Sequence, residues 1–114
     1  MKVLSPRGHG YIDYLVVLAF CAAPSVLEFE GTPETAAYAL AGVHLLLTIL
    51  TDFPLGLAKL VPFPLHGILE FLVAILLVAL PWVLGFHGIE AAKMFYIGAG
   101  ASVLLVFLIT DYRR

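Results

Sequence analysis

Apolar residues fall into four runs along the chain, roughly Tyr11 to Leu27, Ala36 to Leu50, Leu65 to Phe86 and Met94 to Thr110. Each approaches the about 20 residues that span a hydrocarbon layer, the second being the shortest. With no water there to satisfy backbone N–H and C=O groups, runs of this kind are predicted to be α-helices. The punctuation agrees. Ser5-Pro6 and Thr32-Pro33 have the form of an N-cap residue followed by proline at the first helical position, and Pro64 plays the same part for the third helix. Pro24 and Pro81 fall near the far ends of the first and third helices, where a missing N–H ends or kinks the helix. Glu28-Phe29-Glu30-Gly31 and Gly85-Phe86-His87-Gly88 are tight links that join the runs in pairs. A longer connection, Asp52 to Pro64, with three prolines and Lys59, separates the pairs. The expected fold is an all-α membrane protein of four transmembrane helices in two helical hairpins.

Composition strengthens this reading. Of 114 residues, 62% are hydrophobic and 12% charged, against about half and a quarter in soluble domains, and the mean hydropathy is +1.06. A soluble core of this size cannot hide so many apolar side chains, so the lipid bilayer is the expected partner. The net charge of -2 and the lack of a basic run argue against nucleic acid. Lys2 and Arg7 ahead of an apolar stretch imitate a signal peptide, but Phe20 spoils a lipobox at Cys21, and the repeat described next argues that the first segment is retained. The lone Cys21 excludes an intramolecular disulfide and is expected to be a small buried thiol. Lys2, Arg7, Lys59, Arg113 and Arg114 sit at the termini or in the central connection, with Lys93 alone on the other side. By the positive-inside rule both termini are expected in the cytoplasm.

The chain repeats itself. His9-Gly10-Tyr11-Ile12-Asp13-Tyr14-Leu15 reads again as His66-Gly67-Ile68-Leu69-Glu70-Phe71-Leu72, and Pro24-Ser25-Val26-Leu27 as Pro81-Trp82-Val83-Leu84, at an offset of 57 residues. After a two-residue insertion, Thr51-Asp52-Phe53 is matched by Thr110-Asp111-Tyr112. Residues 1–57 and 58–114 therefore form two hairpin repeats. Each holds two spans, so both enter the membrane in the same direction, related by an axis along its normal. Pro81-Trp82-Val83-Leu84-Gly85-Phe86 resembles the signature of the SPW-repeat membrane proteins. His9-Gly10-Tyr11-Ile12-Asp13-Tyr14 and Thr51-Asp52-Phe53-Pro54-Leu55-Gly56 are similar to that family's first helix start and inter-repeat stretch. The first copy has Ala23-Pro24-Ser25 without tryptophan, and Leu80 stands where the family has serine. The resemblance implies a small prokaryotic inner-membrane protein and carries no biochemical activity with it.

The chemistry is concentrated at one end. His9 with Asp13, and His66 with Glu70, are spaced i, i+4, which sets each imidazole and carboxylate on one helix face. Asp52 and Asp111 close the second and fourth helices on the same side. The six are expected either to form a structural polar cluster or to bind a divalent metal ion or protons, as helix-borne His and carboxylate groups do in other four-helix proteins. His44 lies midway along the second span, and its counterpart in the second copy is a small residue near Gly100. Bis-histidine haem needs two imidazoles at like depth, whereas His9, His66 and His87 lie near helix ends, so haem b is not expected within one chain. The expected role of the His44 ring is a bond to a carbonyl or to Thr48. Gly98 with Ser102, and Ala37 with Ala41, mark packing faces that serve the hairpins or a homo-oligomer. Tyr11, Tyr14, Trp82, Phe86, Tyr96 and Tyr112 are placed as interfacial belt residues. No nucleotide-binding loop, nucleophile elbow or zinc-protease pattern appears, and no enzymatic activity is expected. The leading expectation is a non-enzymatic structural or interaction module; the alternative is metal-ion or proton binding or transport at the His/carboxylate cluster.

Overall fold

The computed structural model describes residues 2–113, so Arg114, used above to orient the chain, lies outside the described residues. Helices α1 (Pro6–Val26), α2 (Thr32–Leu50), α3 (Phe63–Val83) and α4 (Glu90–Ile109) follow one another, and all four are long and apolar enough to cross a membrane. Each begins ahead of its apolar run; in α1, α2 and α3 the turn carrying the proline is already helical, whereas α4 starts at Glu90 without one. Ser5 caps α1 by accepting the Gly8 N–H at 3.1 Å, with Pro6 in the first turn. In α2 the cap is Gly31, one residue before the expected Thr32, because the chain enters with φ of 77°. Pro24 and Pro81 each lie two residues before the end of their helix, which stops within a turn of the missing N–H.

The hairpins α1–α2 and α3–α4 are the closely packed pairs, and short extended pieces knit them together. β1 (Thr51–Asp52) runs parallel to β2 (Val61–Pro62), with Thr51 opposite Val61. Leu4 pairs in parallel with Thr110 in the same way, its N–H donating to the Ile109 carbonyl and its carbonyl accepting from the Asp111 N–H, both at 2.9 Å. Leu4 and Val61 are equivalent in the repeat, as are Thr51 and Thr110. The exit of each hairpin is thus bonded to the entrance of the other.

Polarity is distributed inside out. Leu15, Leu18, Leu46, Leu72, Ile75, Leu105 and Leu108 are exposed, whereas His9, Asp13, Thr48, Thr51, His66, Glu70 and Thr110 are buried. Lipid accounts for the first set. Cys21, expected inside, is exposed on the outer side of α1. Tyr11 and Trp82 are exposed as interfacial anchors should be, but Phe86 and Tyr96 are core residues rather than belt residues. The end carrying the short links is closed by Phe20, Phe29, Phe86, Phe95 and Tyr96, and the Tyr96 hydroxyl donates to the Pro33 carbonyl at 2.8 Å, tying one hairpin to the other.

The repeat also places a left-handed residue just past the end of α1 and of α3. In the second copy it is Gly85, with φ of 77°, and in the first it is Glu28, with φ of 56°. A side chain there costs about 1–2 kcal/mol, more than the about 0.5–1 kcal/mol that glycine loses through its freer unfolded chain. Glu28→Gly is expected to stabilise the protein by about 0.5–1 kcal/mol, read as a later midpoint in unfolding by SDS in mixed micelles.

Candidate functional site

The i, i+4 pairs of α1 and α3 meet face to face where the two repeats cross. His9 Nε2 lies 2.8 Å from Glu70 Oε2 across the bundle and 3.2 Å from Asp13 Oδ2 on its own helix. His66 Nε2 lies 3.0 Å from Asp13 Oδ2 across the bundle and 3.1 Å from Glu70 Oε2 on its own helix. Two nitrogens and two oxygens therefore alternate around a common centre, each within 4.8 Å of the others. His9 and His66 are 0% exposed, Asp13 1% and Glu70 3%.

The outer edge of each imidazole is held by the opposite repeat. His9 Nδ1 sits 2.8 Å from Thr110 Oγ1, and that hydroxyl donates its own proton to the Val106 carbonyl at 2.5 Å. His66 Nδ1 sits 2.7 Å from Thr51 Oγ1, which donates to the Leu47 carbonyl at 2.6 Å. With its proton already committed, each threonine has only lone pairs to offer, so Nδ1–H is the donor. The remaining ring nitrogen, Nε2, faces the carboxylates, and on both rings it lies within hydrogen-bond distance of Glu70 Oε2. Asp13 Oδ2 makes no hydrogen bond of acceptable geometry despite its near neighbours.

Asp52 and Asp111 do not join this group. Asp52 is exposed, and Asp111, half-buried, accepts the Arg113 N–H at 3.0 Å through Oδ1. The reason is local. The chain turns extended at the end of α2 and of α4, and successive side chains in an extended segment point to opposite sides. Thr51 and Thr110 take the inward position, and the aspartates after them do not.

His44 is the residue that sequence reasoning missed. Its ring does not bond Thr48; instead the Thr48 hydroxyl donates to the His44 carbonyl at 2.8 Å. Its Nε2 faces the outer carboxylate oxygens, 3.5 Å from Asp13 Oδ1 and 4.0 Å from Glu70 Oε1. Six residues separate His44 from the end of α2, and seven separate Asp13 and Glu70 from the starts of α1 and α3, so all three lie about 10 Å from the same end. Counting depth from that end finds the match. Measured from Thr110, the counterpart of His44 is Val103, and the site is asymmetric there.

An aromatic cover lies between the site and the nearer end of the bundle. Phe53 stacks on Phe63 at 5.3 Å, and Phe63 meets Tyr112 at 4.7 Å and the His9 ring edge at 5.2 Å. Glycine follows each histidine to admit this layer: a Cβ at Gly10 would come within 2.9 Å of the Phe53 ring, and one at Gly67 within 2.6 Å of the Tyr112 ring. Burial, and then the Glu70 charge, hold the Tyr112 phenol well above its ordinary range, so it covers the site as a neutral hydroxyl. On the inner side, cavities of about 20 and 30 Å³ touch Glu70, the first also lined by His44 and the second by Asp13. Each has room for a single water.

The model of the SPW repeat domain matches residues 7–110. The chain belongs to the SPW repeat family. With its four spanning helices, it is a small multi-pass membrane protein. No curated protein and no solved structure matches it. The SPW signature and the His/carboxylate group occupy opposite ends of α3. Pro81 is fully buried, and Trp82, 53% exposed, lies parallel to the His87 ring at 6.2 Å. The tryptophan of the signature therefore anchors the far interface and takes no part in the polar centre.

Proposed function

We propose that this SPW repeat protein binds a cation at the His/carboxylate centre between its two repeats, and that this binding, without enzymatic turnover, is its biochemical role. The observation that carries the reading is the inward set of ligand-type atoms. Two Nε2 atoms and two carboxylate oxygens face one another in a buried centre; with neutral rings their electron pairs at about 3 Å repel, and a proton or metal ion among them removes the repulsion. The Nδ1–H donors are turned outward to threonine, which leaves Nε2 of each ring for a cation. Ionisable groups at this depth are costly and mark ion sites or relays more often than packing. The positive residues at the termini and central connection support a cytoplasmic location for that end of the bundle, in the inner membrane.

Infrared difference spectra of the full chain in lipid vesicles test the reading. Acidification or added zinc is expected to shift carboxylate bands, and Asp13→Asn combined with Glu70→Gln to abolish the shift. Spectra that are the same for wild type and variant overturn it.

Association is a second reading, favoured by one observation. Ser102 is exposed and a Cβ at Gly98 would meet nothing within 4 Å, so this small-residue face of α4 is not used in packing the chain's own helices. A second copy or another membrane protein fits there.

A further inference from the structure

Resting on the cation-binding reading, we infer that the cation is a divalent transition metal ion of the zinc class, held four-coordinate by His9 Nε2, Asp13 Oδ2, His66 Nε2 and Glu70 Oε2. Spacing is the first argument. Metal–ligand bonds of about 2.0–2.1 Å place neighbouring ligand atoms about 2.9 Å apart in a plane and about 3.3 Å apart in a tetrahedron. The four nitrogen–oxygen edges measure 2.8, 3.0, 3.1 and 3.2 Å.

Donor type is the second. Two imidazoles with two carboxylates suit zinc, cobalt, nickel or copper, whereas calcium and magnesium require six or more oxygens, which this site does not have. Charge is the third argument: a divalent ion with two carboxylates and two neutral imidazoles is neutral overall, the condition for a site inside a membrane, and a monovalent or trivalent ion leaves a net charge there.

The support around the ligands suits a metal site. Each metal-facing imidazole has its other nitrogen fixed by a hydroxyl that is itself anchored to a helix carbonyl, which sets tautomer and ring angle before any ion arrives. Asp13 Oδ2 is buried, aimed into the centre and without a hydrogen bond. His44 stands outside this set, its Nε2 facing the carboxylates' second oxygens at 3.5 and 4.0 Å.

Full-length protein in detergent, stripped with a chelator and dialysed against zinc or cobalt, tests the inference. The expected result is about one ion per chain, a cobalt complex with the strong visible absorption of low coordination number, and no displacement by excess calcium or magnesium. Thr110→Val, which preserves side-chain shape and removes the anchor of His9, is expected to weaken zinc binding about 10–100-fold. His87→Ala, at the other end of the bundle, leaves it unchanged. Displacement of zinc by calcium, a weak six-coordinate cobalt spectrum, or undiminished binding in Asp13→Asn with Glu70→Gln overturns the inference. Failure to bind zinc while the carboxylate infrared bands still respond to acid defeats this inference and leaves the cation reading standing; silence in both defeats both.

Discussion

Combined replacement His9→Leu, Asp13→Leu, His66→Leu and Glu70→Leu is expected to yield a folded four-helix protein at least as resistant to SDS as wild type, and unable to bind zinc. Asp13→Leu alone is expected to lose about 3–5 kcal/mol. The difference follows from what each change leaves behind. Removing one carboxylate strands His9 and His66, both fully buried, around an incomplete centre. Removing all four takes away the desolvation cost along with the attraction, and the apolar side chains join the core beside Val16, Leu77 and Val103, which line the small cavities at Glu70. Helicity and the SDS midpoint, measured for both proteins with and without zinc, check the pair. A combined variant as unstable as the single one would make the cluster a structural element, since apolar packing could not replace it. A stable combined variant without zinc affinity means that the polar centre is kept for what it binds.

The second large effect is steric. A Cβ at Gly100 would sit 2.7 Å from the Ala74 carbonyl oxygen and 2.7 Å from Val78 Cγ2, where α4 packs on α3. One of those obstacles is helix backbone and cannot swing aside. Gly100→Leu is therefore expected to force α3 and α4 apart at a cost of about 3 kcal/mol or more, seen as a lowered SDS midpoint and loss of the compact species on gel filtration. Gly98→Leu, two residues away, meets open space and is expected to change the midpoint little. Equal losses from the two substitutions would contradict the packing described.

That contrast shows where reading residues in order reaches its end. Gly98 and Ser102 satisfy the small-xxx-small pattern, yet α4 turns Gly100 toward α3, because the pattern names a face without saying which neighbour it meets. Ala37 and Ala41, chosen by the same rule, are buried. The four spans were readable because length and apolarity leave a membrane chain few alternatives. The two i, i+4 pairs were readable because helical periodicity and the 57-residue repeat point to the same four side chains. Asp52 and Asp111 read as helix ends because the apolar runs stop at them. In fact the chain is already extended at Thr51 and Thr110, and a single residue decides which side chain turns inward. His44 was misplaced because its depth was judged from the middle of its span instead of from the end at which the carboxylates lie. Thr51 and Thr110 carry a usable signal: identical residues at matching places in both copies, each followed by an aspartate, at the same end as the histidines.

The crossed bracing, in which each hairpin's threonine holds the other hairpin's histidine, has an ancestral implication. A lone hairpin cannot brace its own imidazole, but two identical hairpins meeting about a twofold axis would do so at once, with one histidine and one carboxylate from each. Fusion of two such copies preserves that arrangement and frees the halves from identity. Asp13 opposite Glu70, and His44 opposite Val103, are the places where this chain has used that freedom, turning a symmetric dimer's pocket into one with a distinguishable side.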